Sequence, residues 1–210
     1  VWNMRHATMP GVPGVYIESG YRGHKASPGK YTITLKMNEK QLTANAAILS
    51  NPLYPTDAST YQEYNSLMNS MEAELTKMHH TINNMNAKRE QLHSLLTSLP
   101  VDSKYISIKK EGDALVELMK VWDEEMIQRK SKAYDDVENF PNKFTANYMF
   151  LINQTESDIP RVNKPSLDLL NELNTEWAKL KTRAAEILDK KIPAFNKLLW
   201  EAGVGAIWKK

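Results

Sequence analysis

The side chains best equipped for chemistry in this sequence are a few histidines and clustered carboxylates. Glu90 and His93 stand three apart, the spacing at which each of two helices in a di-iron carboxylate bundle offers a metal one glutamate and one histidine. That chemistry needs the pair twice, with two further inward glutamates, and the pair occurs once, so solvated helix-face residues are the better reading. His79 and His80 are adjacent, point about 100° apart on a helix and do not close on one ion, which makes them surface or seam-flanking histidines. Asp123, Glu124 and Glu125, and Asp135, Asp136 and Glu138, have the composition of an acid and base pair, but such runs are usually helix faces turned to water. No nucleophile elbow, His-Glu-x-x-His motif or cysteine nucleophile is present, and the absence of cysteine excludes disulfides and thiolate metal sites. The residues therefore point to no catalytic, cofactor-binding or metal-binding set.

Gly23 to Lys30 has the outline of a phosphate loop. It carries one residue too many between its glycines, and Tyr31 stands where Ser or Thr must hold the metal. It also leads into a strand, whereas a phosphate needs a helix N-terminus, so it reads as a turn before a hairpin. The better candidates are for interaction. Trp2, Tyr16, Tyr21 and Tyr31 could stack on a sugar, although packing between strands is the commoner fate of such residues. Arg5 lies in the same segment. Arg89 and Arg129 each interrupt an apolar seam, where they can extend apolar stems past the core to water or pair with a carboxylate and fix register. Met68, Met71, Met78, Met85, Met119 and Met126 could form an adaptable groove, but methionines at heptad positions usually fill a core.

The elements that must position these residues fall into two parts. Residues 1–55 hold five of the eight glycines and five of the ten prolines, the mark of turn-rich β structure. Tyr31, Ile33 and Leu35 alternate with Thr32, Thr34 and Lys36, Asn38-Glu39 sits at a tight turn, and Leu42, Ala44, Ala46 and Ile48 return with period two. This predicts a β-hairpin over about 30–49 with one buried face. So small a sheet cannot cover its own apolar face, so it must pack on the helices, on a partner or on further strands. The chain opens at Val1 with Trp2 and Met4 already alternating, as expected of a segment of a larger protein.

Residues 56–210 read as helices. Thr56 or Ser59 can cap a first helix whose seam runs from Tyr61 through Tyr64, Met68, Met71, Leu75, Met78, Ile82, Met85, Leu92 and Leu96 to Leu99 and ends before Pro100. A second seam, Leu115, Met119, Trp122, Met126, Ala133 and Phe140, is closed by Pro141. A shorter helix follows over about 142–154, then a loop with Pro160 and Pro165. The last seam runs from Leu170, Leu173, Trp177 and Leu180 to Ala184 and Ile187, is kinked at Pro193, and ends at Gly203 and Gly205. An antiparallel bundle buries these seams most simply. The predicted class is mainly α with a β segment: an antiparallel bundle of long helices preceded by a partial antiparallel β-sandwich or β-hairpin region. Its domains are a β-rich segment at 1–55 and the bundle at 56–210.

Of 210 residues, 41% are hydrophobic, enough for a packed core. The net charge of +2 is spread unevenly, with six Lys/Arg against two Asp/Glu in residues 1–55 and 21 against 23 in the remainder. Neither part has the basic stripe interleaved with aromatics that a nucleic acid requires. No apolar run approaches the roughly 20 residues of a membrane span.

Taken in order, Trp2-Asn3-Met4-Arg5-His6, then Ala26-Ser27-Pro28-Gly29-Lys30-Tyr31-Thr32-Ile33-Thr34-Leu35, Asn51-Pro52, Lys88-Arg89-Glu90-Gln91-Leu92 and Ile192-Pro193-Ala194-Phe195-Asn196-Lys197-Leu198-Leu199 form a pattern. It resembles the C-terminal region of large bacterial Asp-box (BNR-repeat) proteins of the sortilin-like β-propeller group, classed as glycosyl hydrolases. The chain departs from that pattern at Asn51-Pro52-Leu53, where the family has Asp-Pro-Arg, and at His6, where it has Tyr. The resemblance implies an exported, periplasmic or cell-surface bacterial protein with propellers upstream, a β-sandwich next and this helical region last. No Asp-box occurs in these residues, so the resemblance carries over no catalytic residue and no cofactor. It implies a non-catalytic module partnered by the propeller domains of the same polypeptide. The β-segment aromatics offer the alternative of a carbohydrate-binding module. The candidate interaction residues are Trp2, Arg5, Tyr16, Tyr21, Arg89 and Arg129.

Overall fold

The seam from Tyr64 to Leu96 becomes one uninterrupted helix, α1 (Ala58–Ser98), about 60 Å long at the usual rise per residue. The computed structural model describes residues 2–18, 20–157 and 160–205. Asp57, rather than Thr56 or Ser59, takes the N-cap position of α1. The six heptad methionines are all buried, as core filler should be. After a short 3₁₀ turn capped by Asp102, α2 (Ile106–Met126) runs back along the C-terminal half of α1. The antiparallel sense is fixed by two contacts: Gly112 faces Leu96, and further along Asp123 lies 3.9 Å from Arg89.

The second seam was expected to remain helical to Phe140. It stops at Met126: Ile127 makes the last helical bond, its N–H to Asp123 O, and turns extended. Arg129 folds back onto Asp123, bringing a cation to the negative end of the helix dipole. A short 3₁₀ turn at Tyr134–Val137 lies within the irregular segment that follows. The chain then resumes as α3 (Phe144–Ser157), with Thr145 Oγ1 donating to the otherwise open carbonyl of Met126.

α3 continues the direction of α2 along the N-terminal half of α1. Next, α4 (Lys164–Glu186) opens at Pro165 with Asn163 as its cap, so Pro165 belongs to the first turn of a helix and not to the loop. Phe144 stacks on Trp177 and the Tyr148 hydroxyl bonds Asn174, which sets α4 antiparallel to α3. A π turn at Ile187–Lys191 carries α4 into α5 (Ile192–Glu201) without a break. The expected kink at Pro193 takes this form because the wider turn absorbs the missing N–H and makes room for the ring. It also explains the spacing of buried residues, which steps by five from Ile187 to Ile192 before returning to Phe195 and Leu199.

The architecture is thus three rods: α1 whole, a second rod split into α2 and α3, and a third made of α4 and α5. Trp122 pins the second rod to the third, donating its indole N–H to Leu180 O at 2.8 Å. At the end of the third rod Gly203, with φ 73°, reverses the chain and Val204 N–H returns to Leu199 O.

The predicted hairpin is present as β1 (Gly29–Met37) and β2 (Lys40–Ile48), paired antiparallel with Leu35 opposite Leu42 and Ile33 opposite Ala44. Asn38 adopts φ 54° in the two-residue turn, a conformation asparagine tolerates. The buried face is not found. Ile33 is 52% exposed, Leu35 60% and Leu42 69%, and only the base of the row, at Tyr31, Ala46 and Ile48, is half-buried.

Gly112 tests the α1–α2 seam, since a Cβ there would sit 2.5 Å from Leu96 Cδ2. Gly112→Val should destabilise the fold by about 1–3 kcal/mol through overpacking, read as a lower urea midpoint at unchanged slope.

Candidate functional site

Residues 4–9 and 21–26 form an irregular antiparallel ribbon, closed by His6 N–H to His24 O, Met9 N–H to Tyr21 O and Ala26 N–H to Met4 O. The ribbon lies along α1 and is held there by a polar stripe flanking the apolar seam. Asn65 Oδ1 accepts from Ser27 Oγ, Glu72 Oε1 accepts from His24 N–H at 2.6 Å, His79 Nδ1 donates to Pro10 O at 2.8 Å, and Asn83 Nδ2 donates to Gly11 O. From α3, Glu156 Oε1 accepts both Lys25 N–H and Arg5 Nη1 at 2.8 Å. Arg5 also donates to Gly23 O. Met9 and Val12 enter the helical core at the same place.

The inner face of this clamp is densely ionisable. His6 stacks on His24 at 4.0 Å, and the buried Tyr64 meets His24 edge-on. The His24 ring nitrogen Nδ1 lies 3.0 Å from Glu72 Oε1 without the geometry of a hydrogen bond, while the same oxygen accepts the His24 amide. Among the described residues the Tyr64 hydroxyl has no hydrogen-bond partner, and burial with the neighbouring Glu156 and Glu72 carboxylates holds it protonated well above the usual phenol range. Burial and the neighbouring His24 lower His6. Burial also lowers His79, against the opposing effect of its bond to Pro10. Because Pro10 O can only accept, His79 carries its proton on Nδ1. Among the described residues, no group of three or more His, Asp or Glu converges as a metal site.

The tip of the ribbon reaches the break in the second rod. Tyr16 N–H donates to Ser131 O and Lys132 Nζ to Gly14 O. Between the tip, the broken segment and α3 lies a cleft of about 280 Å³ whose wall includes Tyr16, Tyr21, His79 and Ser131. The Tyr21 ring stands edge-on to His79 and its hydroxyl accepts Val12 N–H. Burial raises that hydroxyl's pKa.

The six residues singled out from sequence separate into four places. Tyr16 and Tyr21 share the cleft. Arg5 is a clamp residue. Trp2 leans on Tyr31 at 5.4 Å, at the head of the apolar row of the hairpin. Arg129 makes a two-pronged pair with the buried Asp123 at 2.5 and 2.6 Å, and Arg89 reaches the same carboxylate from α1 while bonding Asn86 at 2.7 Å. Both arginines therefore pair with a carboxylate where snorkelling to water was the simpler expectation. Of the other candidates, Glu90 and His93 are exposed, while His79 is buried on the seam flank. Asp136 accepts the amides of Lys132 and Ala133.

Sequence reasoning missed Glu72, Glu156 and Ser131. A signal for the first existed: Asn65, Glu72 and His79 recur every seven residues beside the seam, a polar row at a helix face that packing should cover. Glu156 and Ser131 carry no comparable pattern. No family model, curated protein or solved structure matches the chain.

Two predictions follow from these contacts. His6 and His79 have folded pKa values below the unfolded 6.5, so their stability contribution is present above that pH and lost as pH falls through the folded values. Thermal midpoints should drop between pH 7 and 5. His79→Asn, which keeps a donor for Pro10 O without titrating, should flatten that slope. The carboxylates of Glu74 and Glu125, lowered by bonds to Lys77 and Arg183, act only in more acidic solution. Separately, Arg129→Met should cost about 3 kcal/mol in chemical denaturation, because it leaves the Asp123 carboxylate buried with only the distant Arg89.

Proposed function

We propose that the chain is a non-catalytic structural and interaction module of a larger exported bacterial protein. In this reading the three-rod bundle is a stiff base that presents the β1–β2 hairpin to a β-sheet domain of the same polypeptide. The observation that carries it is the exposed apolar row of Ile33, Leu35 and Leu42, headed by Tyr31 and Trp2. A two-stranded sheet is marginal on its own, and neither edge of this one is paired with another strand among the described residues. A neighbouring sheet satisfies both needs, since it pairs backbone edges and buries alternate side chains.

Charge favours such a domain over a second copy of the hairpin. The two strands and their turn carry Lys30, Lys36 and Lys40 against Glu39 alone, which suits an acid-rimmed surface and repels another hairpin. The ordered resemblance to the C-terminal region of Asp-box propeller proteins supplies the matching context, with a β-sandwich and propellers upstream.

An antibody raised against the chain should detect, in the source organism, a polypeptide much larger than 24.0 kDa. The neighbouring β-domain of that polypeptide, produced separately, should bind the chain, and Ile33→Lys with Leu42→Lys should weaken binding at least tenfold (about 1.4 kcal/mol). A native product of this chain's own size, or binding indifferent to both lysines, would sink the reading.

A further inference from the structure

We propose that the cleft at the ribbon tip binds a neutral saccharide of one or two rings. This goes beyond the docking reading and stands or falls without it, because the cleft lies at the break in the second rod and none of its wall belongs to the hairpin.

The wall combines two kinds of group and lacks a third. Tyr16, Tyr21 and Phe150 supply aromatic surface, Phe150 being 58% exposed although it sits on a helix with a well-packed core face. Aromatic faces suit the C–H side of a pyranose and leave its hydroxyls to polar neighbours. Those neighbours are carboxamides. Asn142, Asn153 and Gln154 line the cleft, and none of their side chains has a hydrogen bond to any described residue. Each carries an acceptor and two donors, the complement of hydroxyls that both give and take.

The third kind of group is one the wall lacks. Among the described residues it holds no lysine or arginine, and its one acidic side chain, Glu18, is exposed. A phosphate, sulfate or carboxylate ligand would enter without a countercharge, at a cost that a neutral ligand avoids. Ser131, in the same wall, adds a further polar group, a buried hydroxyl with no hydrogen-bond partner among the described residues. The volume of about 280 Å³ lies at the small end of ligand sites, which fits one or two rings rather than a long chain. The ribbon fixes this geometry: its clamp on Glu72 and Glu156 holds the backbone that carries Tyr16 and Tyr21.

The test uses the whole chain and titrates it by calorimetry and ligand-observed NMR with cellobiose, lactose and N,N′-diacetylchitobiose. Glucuronic acid, a sulfated disaccharide and glycylglycine serve as competing chemistries. The expected result is saturable binding of at least one neutral disaccharide. The double variant Asn153→Ala with Gln154→Ala should weaken it about tenfold and leave the thermal midpoint unchanged, since neither side chain supports the fold. Asn171→Ala, exposed on α4 and outside the cleft, should bind as the parent does. Any of four results overturns the proposal: no binding of the three neutral disaccharides at millimolar concentration, equal binding by the double variant, tighter binding of the acidic sugars, or binding of the dipeptide alone.

Discussion

A length of backbone without a sheet must find its hydrogen bonds somewhere, and in this protein it finds them on a helix. The ribbon closes some of its amides upon itself, but its remaining groups turn to Glu72, His79 and Asn83 of α1 and to Glu156 of α3. Two of these partners are carboxylates at least nine-tenths buried, where a charge is tolerable only because amide and guanidinium donors meet it. Removing the ribbon would strand both. The helical bundle and the ribbon are thus mutually dependent: the ribbon supplies donors that the buried carboxylates require, and the helices supply the order that an irregular ribbon lacks.

The same logic recurs at Asp123. Its carboxylate stops α2, receives Arg129 from beyond the helix end and Arg89 from the neighbouring rod, and so converts a would-be long helix into two shorter ones. The break is what gives the ribbon tip a place to rest, since Ser131 and Lys132 belong to it. A buried ion pair of this kind contributes less to stability than to specificity, fixing where the second rod divides and hence where the cleft lies.

Much of the architecture was legible because apolar periodicity is a local property. The α1 seam, the Asn38-Glu39 turn and the methionine core all follow from spacing. Failure came where distant partners decide the outcome. Ala133 and Phe140 continue the heptad rhythm of α2, yet a single arginine and its carboxylate override them. The π turn before Pro193 was visible in principle as a five-residue step between Ile187 and Ile192, a spacing that no straight helix can keep on one face. In the site, Tyr16 and Tyr21 were singled out as aromatics without any means of knowing that they converge. The clamp carboxylates were hidden because a glutamate on a helix is read as solvated unless something nonlocal covers it.

The division of the second rod has one more implication, concerning cooperativity. α2, with α5 packed on it, covers the C-terminal half of α1, while α3, with α4 and the ribbon packed beside it, covers the N-terminal half, so the molecule contains two packed neighbourhoods that share one continuous helix. Unequal neighbourhoods of this kind are natural units of sub-global opening. The ribbon half carries His6 and His79, whose lowered pKa values make it sensitive to acid, whereas the other half combines apolar packing around Trp122 with the Asp123–Arg129 pair. Loosening can therefore begin at one end of a helix whose other end stays folded, so that α1 acts as a splint between regions of different resilience.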